Sequence, residues 1–305
     1  MSSSNRTATV VPVTKNVNEG NSIADLTITG TITVNDADSG QNKPKSSTIV
    51  GTYGTFQVSA SGTWTYTPTS ALNQLTAGQT VKETFTVTSF DGSDTGTVTI
   101  NITGTNDVPT MTSATSDVTE GATAAAISAN GKITVTDLDT GESYAKPATV
   151  TTSYGTFAVD KNGNWTYVAN SAHNELTAGQ KVVETFTVTS QDNTKTSTVT
   201  VNITGTNDVA TVTSDTKALV ETNSASSISS SGKLTVADAD TGEALVTAST
   251  VNTTYGKFTV DTNGNWTYVA NDAHNELTAG QAVKEEFTVT SKDGTASGKV
   301  TINIT

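Results

Sequence analysis

A single unit is repeated three times along this 305-residue chain. Trp64, Trp165 and Trp266 stand 101 positions apart, and the same offset relates the acidic and aromatic residues around them, without insertion or deletion. Solenoid repeats have about 20–50 residues, so a unit this long is expected to be a domain with its own core. The period predicts three domains, at residues 1–105, 106–206 and 207–305.

Within each unit, hydrophobic residues alternate with polar ones. In the first copy Val98, Ile100 and Ile102 alternate with Thr and Asn, as expected for a strand with one buried face. The segment 26–34 predicts another strand, and Gly-containing turns such as Ser61-Gly62 separate the strands. About seven strands in about 95 residues, with no helical periodicity, predict an all-β fold of immunoglobulin-like antiparallel β-sandwiches. The connections between units are short, so we expect three domains in an end-to-end rod.

Composition excludes several functional classes. The 16 Lys and Arg against 29 Asp and Glu give a net charge of −13, so neither nucleic acid nor an anionic membrane surface is an expected partner. No apolar run approaches the roughly 20 residues of a transmembrane helix, so no membrane insertion is predicted. The chain has no Cys, which excludes disulfides and thiolate metal sites. It also lacks a nucleophile–base pair, a phosphate loop or a zinc motif, so we predict that it is not an enzyme.

Carboxylates recur at matching positions in every unit. An Asp-x-Asp pair follows the second predicted strand, and another Asp follows a Phe-x-Val-x-Ser strand. Residues i and i+2 of an extended segment share a face, so each pair is expected to converge. Converging anions repel unless a cation intervenes, and Ca²⁺ takes six to eight oxygen ligands. The candidate ligands are Asp36, Asp38, Asp91, Asp137, Asp139, Asp192, Asp238, Asp240 and Asp293, with Asn106, Asp107, Asn207 and Asp208 from the connections.

Each of these features has a simpler interpretation. The carboxylates of Asp-x-Asp can cap backbone N–H groups in solvated turns, but their threefold recurrence beside Asn-Asp favours calcium. Trp64 and Tyr66 share one side of a strand and can form a platform for sugars, yet a chain with 6% aromatic residues needs them for its core. His173 and His274 replace Leu72 at one repeat position, which indicates a loop or rim site rather than a metal ligand.

Several segments carry a family resemblance. They are Thr-Tyr-Gly-Thr-Phe (52–56), Gly-Thr-Trp-Thr-Tyr (62–66), Leu-Thr-Ala-Gly-Gln (75–79) and the closing Asn-Ile-Thr-Gly-Thr-Asn-Asp, all of which recur. Together with Asp-x-Asp they resemble the VCBS repeats of large, type I-secreted, RTX-like bacterial adhesins. Gly-Thr-Asn-Asp-Val-Pro at 104–109 is also similar to the cadherin linker, whose Asn and Asp ligate calcium between domains.

The resemblance implies a Ca²⁺ cluster at each junction between units. The first cluster would contain Glu19, Asn106, Asp107, Asp137, Asp139 and Asp192. The second would contain Glu120, Glu175, Asn207, Asp208, Asp238, Asp240 and Asp293. Two departures matter: Gln74 replaces an acidic residue below the first junction, and Arg6 stands where Asp107 stands later. Because the chain stops before a third Gly-Thr-Asn-Asp, both ends are expected to be cut from a longer array.

We therefore expect a stalk segment of a bacterial cell-surface adhesin that supports cell adhesion or biofilm formation. Its expected partners are calcium ions and neighbouring repeats, its expected location is extracellular, and as a segment it should be monomeric. Two alternatives remain open at this point. One is a ligand-binding module for a glycan or a host surface, which predicts an exposed aromatic cluster. The other is a set of accessory repeats in an extracellular hydrolase.

Overall fold

Each repeat folds into its own β-sandwich in the computed structural model, which describes residues 4–305. Residues 1–3, which open the predicted first domain, lie outside the described residues. The first repeat contains β1 (Thr9–Val10), β2 (Val13–Asn18), α1 (Ile23–Leu26), β3 (Ile28–Thr31), β4 (Val34–Asn35), β5 (Ser47–Val50), β6 (Gly54–Val58), β7 (Thr63–Pro68), β8 (Thr80–Thr88) and β9 (Thr95–Thr103).

The other two repeats reproduce this order, with a single 3₁₀ turn in place of α1. The second contains β10 (Thr110–Met111), β11 (Ala114–Thr119), a 3₁₀ turn (Ala124–Ala126), β12 (Ser128–Lys132), β13 (Val135–Thr136), β14 (Ala148–Thr151), β15 (Gly155–Val159), β16 (Asn164–Ala169), β17 (Lys181–Thr189) and β18 (Thr196–Thr204). The third contains β19 (Thr211–Val212), β20 (Asp215–Leu219), a 3₁₀ turn (Ala225–Ser227), β21 (Ser229–Lys233), β22 (Val236–Ala237), β23 (Ser249–Asn252), β24 (Gly256–Val260), β25 (Asn265–Ala270), β26 (Val283–Thr290) and β27 (Ser297–Ile304).

Two sheets face each other in every repeat. In the first, one sheet has the strand order β3-β7-β6-β5 and the other β2-β9-β8, while β1 and β4 form a separate short pair. The pairing is antiparallel except between β2 and β9, β11 and β18, and β20 and β27, which are parallel. This parallel pair joins the beginning of each repeat to its end. The predicted all-β sandwich fold is confirmed, with one parallel pair that the alternation of residues did not reveal.

The core lies between the two sheets, where the aromatic residues gather. Val98, Ile100 and Ile102 are fully buried, as their alternation predicts. Trp64 is also buried, and the rings of Phe56 and Phe85 stack with centroids 4.9 Å apart. The interpretation of the Trp and Tyr side chains as core is thus confirmed.

The structure corrects the predicted strand over 26–34. Its first residue, Leu26, ends the short helix α1 and is fully buried. The helix begins after Ser22, whose backbone N–H and hydroxyl donate to Asp25 at 2.9 and 2.8 Å. This local capping of otherwise unpaired groups outweighs the strand preference of the alternating residues.

The repeats do not share a hydrophobic core. Each of the three clusters of buried apolar side chains is confined to one repeat. The chain crosses between repeats through short polar segments, assisted by one backbone hydrogen bond at each junction, from Thr140 N–H to Gln74 O and from Thr241 N–H to Glu175 O, both 3.2 Å. None of the helices within residues 4–305 has the combination of length and apolar character needed to cross a lipid bilayer.

Candidate metal centres at the repeat junctions

The first junction, between the first and second repeats, is organised by backbone N–H groups that position carboxylates. Asp107 N–H donates to Oδ2 of Asp139 at 2.9 Å, and Asp139 N–H donates to Oδ1 of Asp137 at 3.0 Å. From the repeat below, Glu19 accepts from Thr105 N–H at 3.2 Å. Asn106 Nδ2 completes the set by donating to Asp192 at 3.0 Å. The predicted residues of both repeats are thus brought to one place by the connection between them.

The Asp-x-Asp pair converges in a different way from the prediction. Asp137 directly follows the strand β13, and the chain bends at Leu138 and Asp139 rather than continuing as a strand. The side chain of Asp137 turns back to accept the N–H two residues on, which is an Asx turn. One oxygen of each carboxylate therefore caps a backbone N–H group, as the simpler interpretation expects, and the other oxygen is left for a different role.

Several other carboxylate oxygens at the first junction are buried and have no hydrogen-bond partner in the described structure. Asp139 is 1% exposed and Glu19 7%. At the first junction the unpartnered atoms are Glu19 Oε1, Asp107 Oδ2, Asp137 Oδ2, Asp139 Oδ1 and Glu142 Oε2. Burying a charged group without a partner is costly. Because five such oxygens lie at one junction, they form a candidate site for a cation.

Electrostatics at the first junction points the same way. Burial, followed by repulsion from Asp139 and other neighbouring carboxylates, raises the pKa values of Glu19, Asp107 and Asp137. Asp192 differs, because hydrogen bonds from Ser190, Thr194 and Asn106 outweigh the opposing effect of burial and lower its pKa to about 2. The cluster thus holds several like charges close together, an arrangement that a divalent cation relieves.

Glu142 belongs to the first junction although the sequence analysis does not include it. One carboxylate oxygen each from Asp137, Glu142 and Asp192 lie within 4.8 Å of one another. Burial and then repulsion from Asp139, Asp137 and Asp192 raise the pKa of Glu142. The turn after Asp139 passes through Gly141, which has φ of 87°, a value that favours glycine. The Asp-x-Asp-x-Gly-Glu spacing, also present at 238–243, is the signal that identifies this residue.

The second junction, between the second and third repeats, repeats the same scaffold. Asp208 N–H donates to Asp240 at 3.0 Å, Asp240 N–H donates to Asp238 at 2.9 Å, and Thr206 N–H donates to Glu120 at 2.9 Å. Asn207 Nδ2 donates to Asp293 at 3.0 Å. The buried oxygens without a partner are Asp208 Oδ2, Asp238 Oδ2 and Asp240 Oδ1. Burial and mutual repulsion raise the pKa values of Glu120 and Asp208.

Glu175 stands apart from the other predicted residues of the second junction. Its Oε1 lies 3.0 Å from Nδ1 of His173, and its side chain is 52% exposed. It is nevertheless close enough to Glu120 to contribute to that residue's raised pKa. The Glu175 carboxylate thus contacts His173 of its own repeat.

The two His residues correct an expectation about their position. His173 and His274 are both 3% exposed, so they are buried rather than at a rim. Each has positive φ, as has Leu72 at the same position in the first repeat. The Nε2 atom of His173 lies 2.8 Å from Tyr154 O, a contact that satisfies a buried ring nitrogen.

The first repeat carries half of such a site at its outer end. Asp38 N–H donates to Asp36, Arg6 N–H donates to Asp38, and Asn5 Nδ2 donates to Asp91, at 2.8, 2.7 and 2.7 Å. Oδ2 of Asp36 is buried and without a partner. The hydrogen bonds match those of the junctions, but Arg6 takes the place of an aspartate. Asp36, Asp38 and Asp91 therefore share a scaffold with less negative charge around it.

These donor sets fit a hard dication. The first junction offers carboxylate and amide oxygens and no sulfur or imidazole ligand, which is the ligand chemistry of Ca²⁺. The unpartnered oxygens come from both repeats and from the connection between them. A cation held there would therefore contact two domains at once.

Comparison with known proteins identifies the type of domain. The family model described as the bacterial cadherin-like domain matches the chain three times, over residues 5–104, 106–205 and 207–305. A comparison with curated protein sequences finds no match.

Among solved structures, the chain is similar to Drosophila N-cadherin EC1-4, with 15% identity and a TM-score of 0.41 over 96% of this chain and 72% of that one. It is also similar to protocadherin gamma B2 domains 1–5, with 15% identity and a TM-score of 0.48 over 96% and 58%. The mouse PcdhgC3 EC1-3 structure matches with 10% identity and a TM-score of 0.41 over 96% and 99%. The chain spans just over half of the gamma B2 structure.

Proposed function

The chain belongs to the bacterial cadherin-like domain family, and on that basis we propose that it is a non-enzymatic extender of an extracellular protein, stiffened by Ca²⁺ at its domain junctions. The proposed domains are residues 1–105, 106–206 and 207–305. The tandem arrangement itself suits a spacer or adhesion module, because each sandwich has a complete core and adds length without needing the next.

One observation carries the calcium proposal: both junctions contain buried carboxylate oxygens without hydrogen-bond partners. Such atoms are rare in folded proteins because each one costs about 1–3 kcal/mol or more when charged. Their occurrence at the two places where the repeats meet supports a ligand shared by neighbouring domains.

The proposed ligands come from three parts of the chain. At the first junction Glu19 approaches from the repeat below, Asn106 and Asp107 belong to the connection, and the repeat above supplies Asp137, Asp139, Glu142 and Asp192. The backbone N–H groups of Thr105, Asp107 and Asp139 hold these side chains in place. When bound, calcium supplies the positive charge that cancels their mutual repulsion. The residues then resist bending, because any change in the interdomain angle separates ligands that belong to different domains.

The adhesin context rests on the sequence motifs. The resemblance of the repeats to VCBS repeats supports a place in a type I-secreted bacterial adhesin at the cell surface, with a role in adhesion or biofilm formation. The alternative of a glycan-binding module predicts an exposed aromatic cluster, and the three Trp side chains are instead buried. The spacer function is therefore the proposal that the structure supports better.

Solution scattering tests this proposal. The maximum dimension and the flexibility of the full chain are measured in EDTA and in about 5 mM CaCl₂, beside the double variant Asp139→Asn/Asp240→Asn, which removes one buried carboxylate charge from each junction. We expect calcium to lengthen and stiffen the wild type and to leave the double variant flexible. Equal scattering curves for the wild type in both buffers refute the calcium clamp.

A further inference from the structure

The three repeats place different residues beside the Asp-x-Asp turn. The position three residues after the second Asp is Gln41, Glu142 or Glu243, and the position before the last Asp of the cluster is Phe90, Gln191 or Lys292. Two of these combinations belong to junctions between repeats. The second repeat combines an acidic residue with a neutral one, and the third combines an acidic residue with a basic one.

At the first junction the acidic residue is free to join the cluster. An oxygen of Glu142 lies within 4.8 Å of oxygens of Asp137 and Asp192, and Oε2 of Glu142 is buried without a hydrogen-bond partner. Gln191, at the position equivalent to Lys292, is exposed. It brings no charge to the cluster.

At the second junction a lysine holds the equivalent acidic residue. The Nζ atom of Lys292 lies 3.7 Å from Oε1 of Glu243 and donates a hydrogen bond to Gly242 O at 3.0 Å. These two contacts place an ammonium group against the turn that follows Asp240. The carboxylates of Asp238, Glu243 and Asp293 do not converge as their counterparts do in the second repeat.

The rest of the second junction has the features of a cation site. Asp240 is 2% exposed, and its Oδ1 is buried without a hydrogen-bond partner, as is Oδ2 of Asp238. The hydrogen bond from the connection is also the same at both junctions: Asp208 N–H donates to Asp240 at 3.0 Å, and Asp107 N–H donates to Asp139 at 2.9 Å. The junctions differ at Glu243 and Lys292, and also at Glu175, which replaces Gln74 of the first junction. The Glu175 carboxylate is 52% exposed and lies 3.0 Å from His173, so the charge difference next to the Asp-x-Asp turn comes from Glu243 and Lys292.

We propose that the two junctions bind Ca²⁺ with unequal affinity, because the ammonium group of Lys292 neutralises Glu243 and adds positive charge beside the second site. This inference rests on the proposed function. Calcium affinity depends on the number of charged ligands. A unit positive charge about 6 Å from a dication in water weakens binding about tenfold without screening and about threefold at physiological salt. As calcium falls, the hinge between the second and third repeats loosens before the hinge between the first and second.

The test is calorimetric titration of the full chain with CaCl₂, using variants in which only one junction keeps its complete set of carboxylates. Asp240→Asn disables the second junction, so the titration reports on the first. Asp139→Asn disables the first junction, so the titration reports on the second. We expect the first junction to bind about three- to tenfold more tightly than the second. Adding Lys292→Gln to the Asp139→Asn chain should remove most of that difference, and adding Gln191→Lys to the Asp240→Asn chain should weaken the first junction by a similar factor. Thermal melts in EDTA check that every variant folds.

A control separates local charge from net charge. Lys257→Gln makes the same change in net charge on the exposed surface of β24, and we expect it to leave both affinities unchanged. Equal affinities at the two junctions, or an affinity that does not respond to Lys292→Gln, overturn the inference while leaving the calcium clamp intact. Absence of calcium binding to the wild type at about 10 mM overturns both.

Discussion

The substitution Asp139→Asn should have opposite effects on stability with and without calcium. Asp139 is almost completely buried, and its two oxygens have different surroundings. Oδ2 accepts the N–H of Asp107 at 2.9 Å, whereas Oδ1 has no partner. Asparagine keeps an oxygen for the first contact and removes the negative charge from the second. The substitution therefore tests the charge with little change in shape.

Without calcium, we expect the variant to be more stable than the wild type. Repulsion from Asp139 contributes to the raised pKa values of Glu19, Asp107, Asp137 and Glu142. Two unit charges about 5 Å apart repel by about 0.8 kcal/mol in water, and physiological salt screens about half of this. With four such neighbours, the free energy of unfolding should rise by about 1–2 kcal/mol.

With calcium, we expect the order to reverse. A site with a Kd of about 10⁻⁴ M, at the tighter end for extracellular modules, gains about 2.7 kcal/mol at a calcium concentration of about 100 Kd. The variant should lose most of this gain at the first junction. Urea unfolding followed by tryptophan fluorescence, in EDTA and in about 10 mM CaCl₂, measures both effects on the same protein.

The control is the equivalent residue of the first repeat. Asp38 accepts a backbone N–H in the same way, but from Arg6 rather than from an aspartate. Asp38→Asn should therefore leave the stabilisation by calcium at the first junction unchanged. In EDTA it should not stabilise the protein as Asp139→Asn does. If Asp139→Asn instead destabilises the protein equally in both buffers, the carboxylate is only a turn cap and the electrostatic reasoning is refuted.

Two further predictions concern pH and the core. Because burial and mutual repulsion raise the pKa values of Glu19, Asp107 and Asp137, their contribution favours the folded state below about pH 4 and is lost as pH rises through the folded values. The melting temperature in EDTA should therefore increase as the pH is lowered from 7.5 to 5, with a smaller increase in saturating CaCl₂. A melting temperature in EDTA that decreases as the pH is lowered contradicts the electrostatic account. Tyr268→Phe removes the 2.6 Å hydrogen bond to buried Glu285 and should cost about 1–3 kcal/mol by urea denaturation, whereas unchanged stability means that water replaces the hydroxyl.

Much of the fold was readable from the sequence because it depends on local or strictly repeated patterns. The alternation at Val98, Ile100 and Ile102 identifies a half-buried strand from a few neighbouring residues. The 101-residue spacing of the Trp residues reveals three copies of one domain. The same spacing drew attention to Asp-x-Asp and Asn-Asp, because chance does not place carboxylates at matching positions three times.

The parts that required the tertiary structure depend on residues far apart in the chain. The parallel pairing of β2 with β9 leaves no local pattern, and Leu26 fits a strand by its hydrophobicity although capping by Asp25 makes it helical. Glu175 is predicted from its position as a junction residue, but a contact with His173 turns its carboxylate aside.

The junctions show the same division. Repetition alone locates Asp139 and Asp240, which occupy equivalent places with equivalent hydrogen bonds. It does not reveal that Glu142 joins its cluster while Lys292 contacts Glu243 from 49 positions away. Sequence thus determined which residues recur, since recurrence is visible in one dimension. Only the tertiary structure decided which charges meet, because Coulomb interactions depend on distance in space and not on separation along the chain.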